Sequence, residues 1–138
     1  LNLKCKNRID DNLPSRNTDI FILNTYGELG TIYSITPIVF IGKSLSAIGG
    51  QNPLEPSRFG CQLLFGPHME NFLEISQEIL ERDIGIQVEN QQSLNRAVSK
   101  LFKNPKEREN IQKALNPLLE AGQKKLSICY EKIINYMN

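Results

Sequence analysis

Four short apolar runs, Ile20-Phe21-Ile22-Leu23, Ile38-Val39-Phe40-Ile41, Gln62-Leu63-Leu64-Phe65 and Ile84 to Val88, constrain the chain more than any other feature. The first three are near-continuous rather than alternating, which predicts strands covered on both faces, and Ile84 to Val88 reads as a fourth strand. The stretches between them carry helix signals. Thr25 and Glu28 stand at capping-box spacing before Leu29, Ile32 and Tyr33, Asn52-Pro53 suits a helix start, and Phe72, Ile75, Ile79 and Leu80 fall at helical spacing between about Glu70 and Asp83. Strands alternating with helices run in one direction, so the fold class expected is α/β: a parallel Rossmann-like sheet with helices on both faces.

From about residue 91 the pattern becomes helical throughout. Leu94, Val98, Leu101 and Phe102 form one stripe, Pro105 suits a second start, and Leu126, Ile128, Cys129, Ile133, Ile134 and Met137 form a third. This tail is expected to cap the sheet. Residues 1–19 are polar and rich in turn formers, so they read as a loop or linker with one short strand at Leu1 to Cys5. A length of 138 residues suits one core, with the packed domain spanning 20–138.

Lys plus Arg less Asp plus Glu is 16 − 15 = +1, which offers no bulk field for nucleic acid. Cys5, Cys61 and Cys129 are widely spaced, with no C-x-x-C, and read as structural residues of a reducing compartment. His68 is the sole histidine, so no metal site is expected. The apolar runs are far shorter than the roughly 20 residues of a membrane-spanning helix. The chain starts at Leu1 with no signal-like pattern after it, which leads to the expectation of a cut inside a longer protein.

Chemistry is expected in the loops that follow the strands. In Ser44-Leu45-Ser46-Ala47-Ile48-Gly49-Gly50-Gln51-Asn52-Pro53-Leu54-Glu55-Pro56, Gly49 and Gly50 allow backbone to approach a ligand, Asn52 suits an N-cap and Pro53 the first helical position. Such a loop, at the carboxyl end of a parallel strand, is where open α/β sheets bind phosphates. A capped helix start with no ligand is the plainer reading. Glu55 has two readings: it closes a capping box on Asn52, or it accepts hydrogen bonds from a ribose diol. The loop Gly66-Pro67-His68-Met69-Glu70-Asn71-Phe72 follows the next strand, with His68 and Asn71 as candidate ligand contacts or as ordinary caps. In Asn24 to Gly30, Gly27 and Glu28 are further candidates beside the capping-box reading of Glu28. No Ser-His-Asp pattern, P-loop or G-x-G-x-x-G is present.

Asn24-Thr25-Tyr26-Gly27-Glu28-Leu29-Gly30, Gly49-Gly50-Gln51-Asn52-Pro53-Leu54-Glu55-Pro56 and Phe65-Gly66-Pro67-His68-Met69-Glu70-Asn71-Phe72, in that order, resemble the bacterial 3-deoxy-D-manno-octulosonic acid (Kdo) transferases. The resemblance runs from about Ile20 to at least Val88. Asn24, Gln51 and Lys43 depart from it, standing where the family usually or often has Asp, His and Gly. The resemblance implies a two-lobed GT-B glycosyltransferase that moves Kdo from CMP-Kdo to a lipid A precursor, without a cofactor or bound metal, at the cytoplasmic face of the bacterial inner membrane. This chain would be part of the C-terminal donor-binding lobe and inactive alone, with the catalytic base and the membrane attachment in an N-terminal lobe. Gly49, Gly50, Asn52 and Glu55 inherit donor binding by position, with Ser44 as an addition. Two alternatives stand beside this one: a non-catalytic remnant lobe, and a GT-B enzyme that uses another sugar nucleotide.

Overall fold

A computed structural model describes residues 2–10 and 13–104 and scattered helical positions between 106 and 134. The chain divides into two compact units, residues 1–35 and 36–138. In the first, β1 (Cys5–Asn7) pairs in parallel with β2 (Ile20–Ile22), Cys5 opposite Ile20 and Asn7 opposite Ile22. Bonds from Arg8 N–H to Ile22 O (2.9 Å) and from Ile20 N–H to Lys4 O (3.1 Å) extend this ladder. The connection turns at Ser15 to Thr18, where the Thr18 hydroxyl accepts from the Ser15 amide at 2.9 Å. After β2, Gly27 takes φ +82°, a left-handed value that favours glycine, and α1 (Leu29–Ile35) follows. No described residue of this unit is buried.

The second unit carries a three-stranded parallel sheet ordered β3-β4-β5, from β3 (Ile38–Phe40), β4 (Gln62–Phe65) and β5 (Gly85–Gln87). All four residues of the central strand β4 are buried, as a run without alternation demands. Leu63 and Phe65 join Ile41, Met69, Ile79 and Ile84 in the core. Burying each such side chain contributes roughly 1.5–3 kcal/mol.

α2 (Leu54–Ser57) connects β3 to β4, while a 3-10 turn (Glu70–Phe72) and α3 (Leu73–Glu81) connect β4 to β5. Ile79 of α3 lies so close to β5 that a Cβ on Gly85 would meet its Cγ2 at 2.5 Å, which leaves room there for glycine alone. α4 (Gln91–Lys103) opens with a reciprocal cap: Asn90 Oδ1 accepts from Ser93 N–H at 3.0 Å and Ser93 Oγ from Asn90 N–H at 3.1 Å.

The structure departs from the sequence expectations in several places. It has two parallel sheets where one was expected: β2 pairs with β1, while the backbone bonds of the β3 segment, such as Gln62 N–H to Pro37 O (2.9 Å) and Ile41 N–H to Leu64 O (2.8 Å), run to β4. The first strand lies at Cys5–Asn7 rather than Leu1 to Cys5 because its partner is β2 in that register. The helix expected from Glu70 starts as the 3-10 turn, and its α-helical part begins only at Leu73. Pro53 sits one position before the first turn of α2 instead of inside it. In the stripe of α4, Leu101 is buried and Phe102 is exposed. Pro105, Leu126, Cys129, Ile133 and Met137 lie outside the described residues; Ile128 and Ile134 are helical and exposed.

Candidate functional site

Because β3 and β4 are parallel, the loops that follow them leave the same end of the sheet, the carboxyl end where α/β folds place ligands. Ser44 joins the two strand ends. Its buried hydroxyl donates to Ile41 O at 2.6 Å and accepts from Gly66 N–H at 2.8 Å, and its carbonyl accepts from His68 N–H at 2.9 Å. A Cβ on Gly66 would fall 2.1 Å from Ser44 O, so this approach requires glycine. The sequence reading gives Ser44 to the donor. Its hydroxyl is directed inward, and what it sets is the geometry of the loops.

Gly49 and Gly50 are buried and both left-handed, at φ +109° and +61°. The segment 68–71 lies against them. Glu70 Oε2 accepts from Gly49 N–H at 2.8 Å while Glu70 Oε1 lies 3.3 Å from His68 Nδ1. A Cβ on Gly49 would meet Asn71 Nδ2 at 2.7 Å, and one on Gly50 would meet Met69 Sδ at 2.6 Å and His68 O at 3.1 Å. Glu70 is held below the usual carboxylate range first by its own backbone amide and then by the Gly49 amide, with the contact to His68 adding to the effect. The amide of Gly49 is therefore already engaged by a carboxylate. Glu70 is the residue that sequence reasoning missed. Its partner is 21 positions away, and nothing local marks the pairing.

At the start of α2, Asn52 Oδ1 accepts from Leu54 N–H at 3.0 Å, and Asn52 Nδ2 donates to Glu55 Oε1 at 3.3 Å. Glu55 thus bonds the Asn52 side chain rather than its amide, and its carboxylate stands exposed. With only four residues, α2 supplies little dipole, so any anion here would be held by loop amides and side chains.

Glu28 and Gly27 belong to the first unit, where Glu28 sits in a cluster of polar bonds. The Glu28 carboxylate takes Arg8 Nε at 3.0 Å and the Thr25 hydroxyl, and Asn24 Oδ1 accepts from Ile9 N–H at 3.0 Å. The Thr25 hydroxyl first, and Arg8 second, lower the pKa of Glu28 from its ordinary value. Among the described residues no group of three His, Cys, Asp or Glu side chains is placed to hold a metal ion. No described helix is long and apolar enough to cross a membrane.

Parallel strands, crossover helices and glycine-bearing loops at the carboxyl ends give the architecture of the C-terminal lobe of a GT-B glycosyltransferase. The fold matches that of the C-terminal CMP-Kdo binding domain of WaaA from Acinetobacter baumannii with a TM-score of 0.80 and 23% identity, covering 86% of this chain and 62% of that one. Within that class the sequence is similar to the 3-deoxy-D-manno-octulosonic acid transferases: it is 34% identical over 130 residues to the Rickettsia prowazekii protein of that name, covering 90% of this chain and 27% of the relative. It is also 37% identical over 90 residues to a bifunctional glycosyltransferase/methyltransferase of Fusobacterium nucleatum, covering 65% of this chain and 14% of the relative. No protein-family model matches. The chain spans about a quarter or less of the length of these relatives.

Proposed function

We propose that this chain is the donor-binding lobe of a Kdo transferase and that it holds the nucleotide of CMP-Kdo in the loops after β3 and β4. The observation that carries this is the exposed Glu55 carboxylate, oriented by Asn52 beside two left-handed glycines at the carboxyl end of the sheet. A carboxylate so placed accepts two hydrogen bonds from a vicinal ribose diol. Gly49, Gly50, Asn52 and Glu55 form the donor seat, with His68 and Asn71 at its border and Ser44 fixing its shape. The polypeptide as a whole would transfer Kdo to a lipid A precursor hydroxyl at the cytoplasmic face of the inner membrane. Its acceptor site, membrane contact and catalytic base would lie outside these 138 residues.

The test is calorimetric titration of the 138-residue chain with CMP. Glu55→Gln should weaken binding with little change in melting temperature; a large loss of stability with unchanged affinity would make Glu55 a capping residue only. The base accounts for about 10²–10⁴ of the rate in reactions of this type, so the same chain should bind CMP yet show no Kdo transfer. The relative named only as a glycosyltransferase/methyltransferase favours a second reading, a GT-B lobe for another sugar nucleotide. Tighter binding of UDP than of CMP would select it.

A further inference from the structure

Two adjacent left-handed glycines form the least constrained backbone a loop can have, and left to themselves they would sample many shapes. In this chain they are clasped. Met69, Asn71 and the His68 carbonyl crowd the positions where Gly49 and Gly50 would carry side chains, which limits where the turn can go. Crowding does not choose among the shapes that remain. One directional bond does: Glu70 Oε2 takes the Gly49 amide at 2.8 Å while its other oxygen lies 3.3 Å from the His68 ring.

We infer that Glu70 is a positioning residue for the donor site, holding the Gly49–Gly50 turn so that Asn52 and Glu55, two and five residues beyond Gly50, meet the nucleotide already oriented. This rests on the donor-site reading above, and it adds a residue that reading does not use. Glu70 touches no part of the nucleotide in this scheme; it acts through the turn. A turn fixed beforehand spares the ligand the cost of ordering it, which appears as affinity.

The experiment compares the 138-residue wild type with Glu70→Ala and Glu70→Gln, reading Gly49 amide exchange by NMR, CMP affinity by calorimetry, and melting temperature. The alanine variant should lose Gly49 protection and weaken CMP binding by about tenfold, the scale of one hydrogen bond to a charged group. Its melting temperature should barely move. Glutamine keeps an acceptor for the Gly49 amide and should recover most of both losses. Unchanged Gly49 exchange in Glu70→Ala would overturn the inference, and so would unchanged or tighter CMP binding, which would make the carboxylate a bystander or an obstruction. Failure of the wild type to bind CMP would sink both the donor reading and the positioning role, whereas binding that ignores Glu70→Ala would sink the positioning role alone.

Discussion

The two units are held together by different forces. In residues 36–138 every buried apolar side chain of the described core is found, from Ile41 to Leu101, around a strand with both faces covered. In residues 1–35 no described side chain is buried, and the fold is carried by backbone ladders and polar bonds: the Lys4 amide to Asp19, the Ile9 amide to Asn24, and Arg8 with Thr25 on Glu28. Bonds exposed to water contribute little net stability, whereas burial of apolar surface dominates it. The same strand-helix grammar therefore yields one region with a core and one without.

The sharpest way to break this contrast is a matched pair of truncations. Leu63→Ala, in the middle of β4, should cost about 2–5 kcal/mol in urea unfolding, and Ile22→Ala, 49% exposed in β2, should stay within about 0.5 kcal/mol. Equal losses would mean that residues 1–35 share a core with the rest.

A smaller effect separates the thiols. Cys5 is exposed, while Cys61 is buried and burial pushes its thiol up. Maleimide labelling at neutral pH with peptide mapping should modify Cys5 first and Cys61 only as fast as the second unit unfolds; comparable rates would contradict the assigned core.

The smallest effect is shared by both units. Glu28 and Glu70 are lowered from the ordinary 4.5. The stability that each contributes is full above that value and lost as pH falls through the lower folded one. An NMR titration should show both carboxylates more than half ionised at pH 4.5. A Glu70 midpoint at or above 4.5 would break its link to the Gly49 amide, and the same for Glu28 would break its link to Arg8.

The readability of the sequence follows the same divide. Gln62 to Phe65 was legible as a strand because burial on both faces leaves a continuous apolar run, and Ile84 to Val88 because turn residues bracket it. The loops were legible as segments: the glycines after β3 do form the left-handed turn, and Asn52 does bond the first turn of α2. The bonds within them were not. Ser44 turning inward to Gly66 and Glu70 crossing to Gly49 depend on how two loops 21 or 22 residues apart meet, and no periodicity records that; Glu55 reaching the Asn52 side chain rather than its amide is a local choice that the shared spacing leaves open. The division into two units was equally hidden: the run Ile20 to Leu23 predicts a strand covered on both faces, yet Ile20 and Ile22 are exposed, because a run does not name the strand beside it.

The junction at Ser44 has a mechanical consequence. Its hydroxyl bridges Ile41 and Gly66, its carbonyl receives the His68 amide, and Gly66 comes too near for a side chain. The loops after β3 and β4 are thus riveted where they leave the sheet, and neither can swing without dragging the other. A substitution such as Gly66→Ala would pry the two apart at the root and abolish the CMP binding proposed above, although Gly66 need never touch the nucleotide. Loss of function there would measure the stiffness of the joint, not a contact.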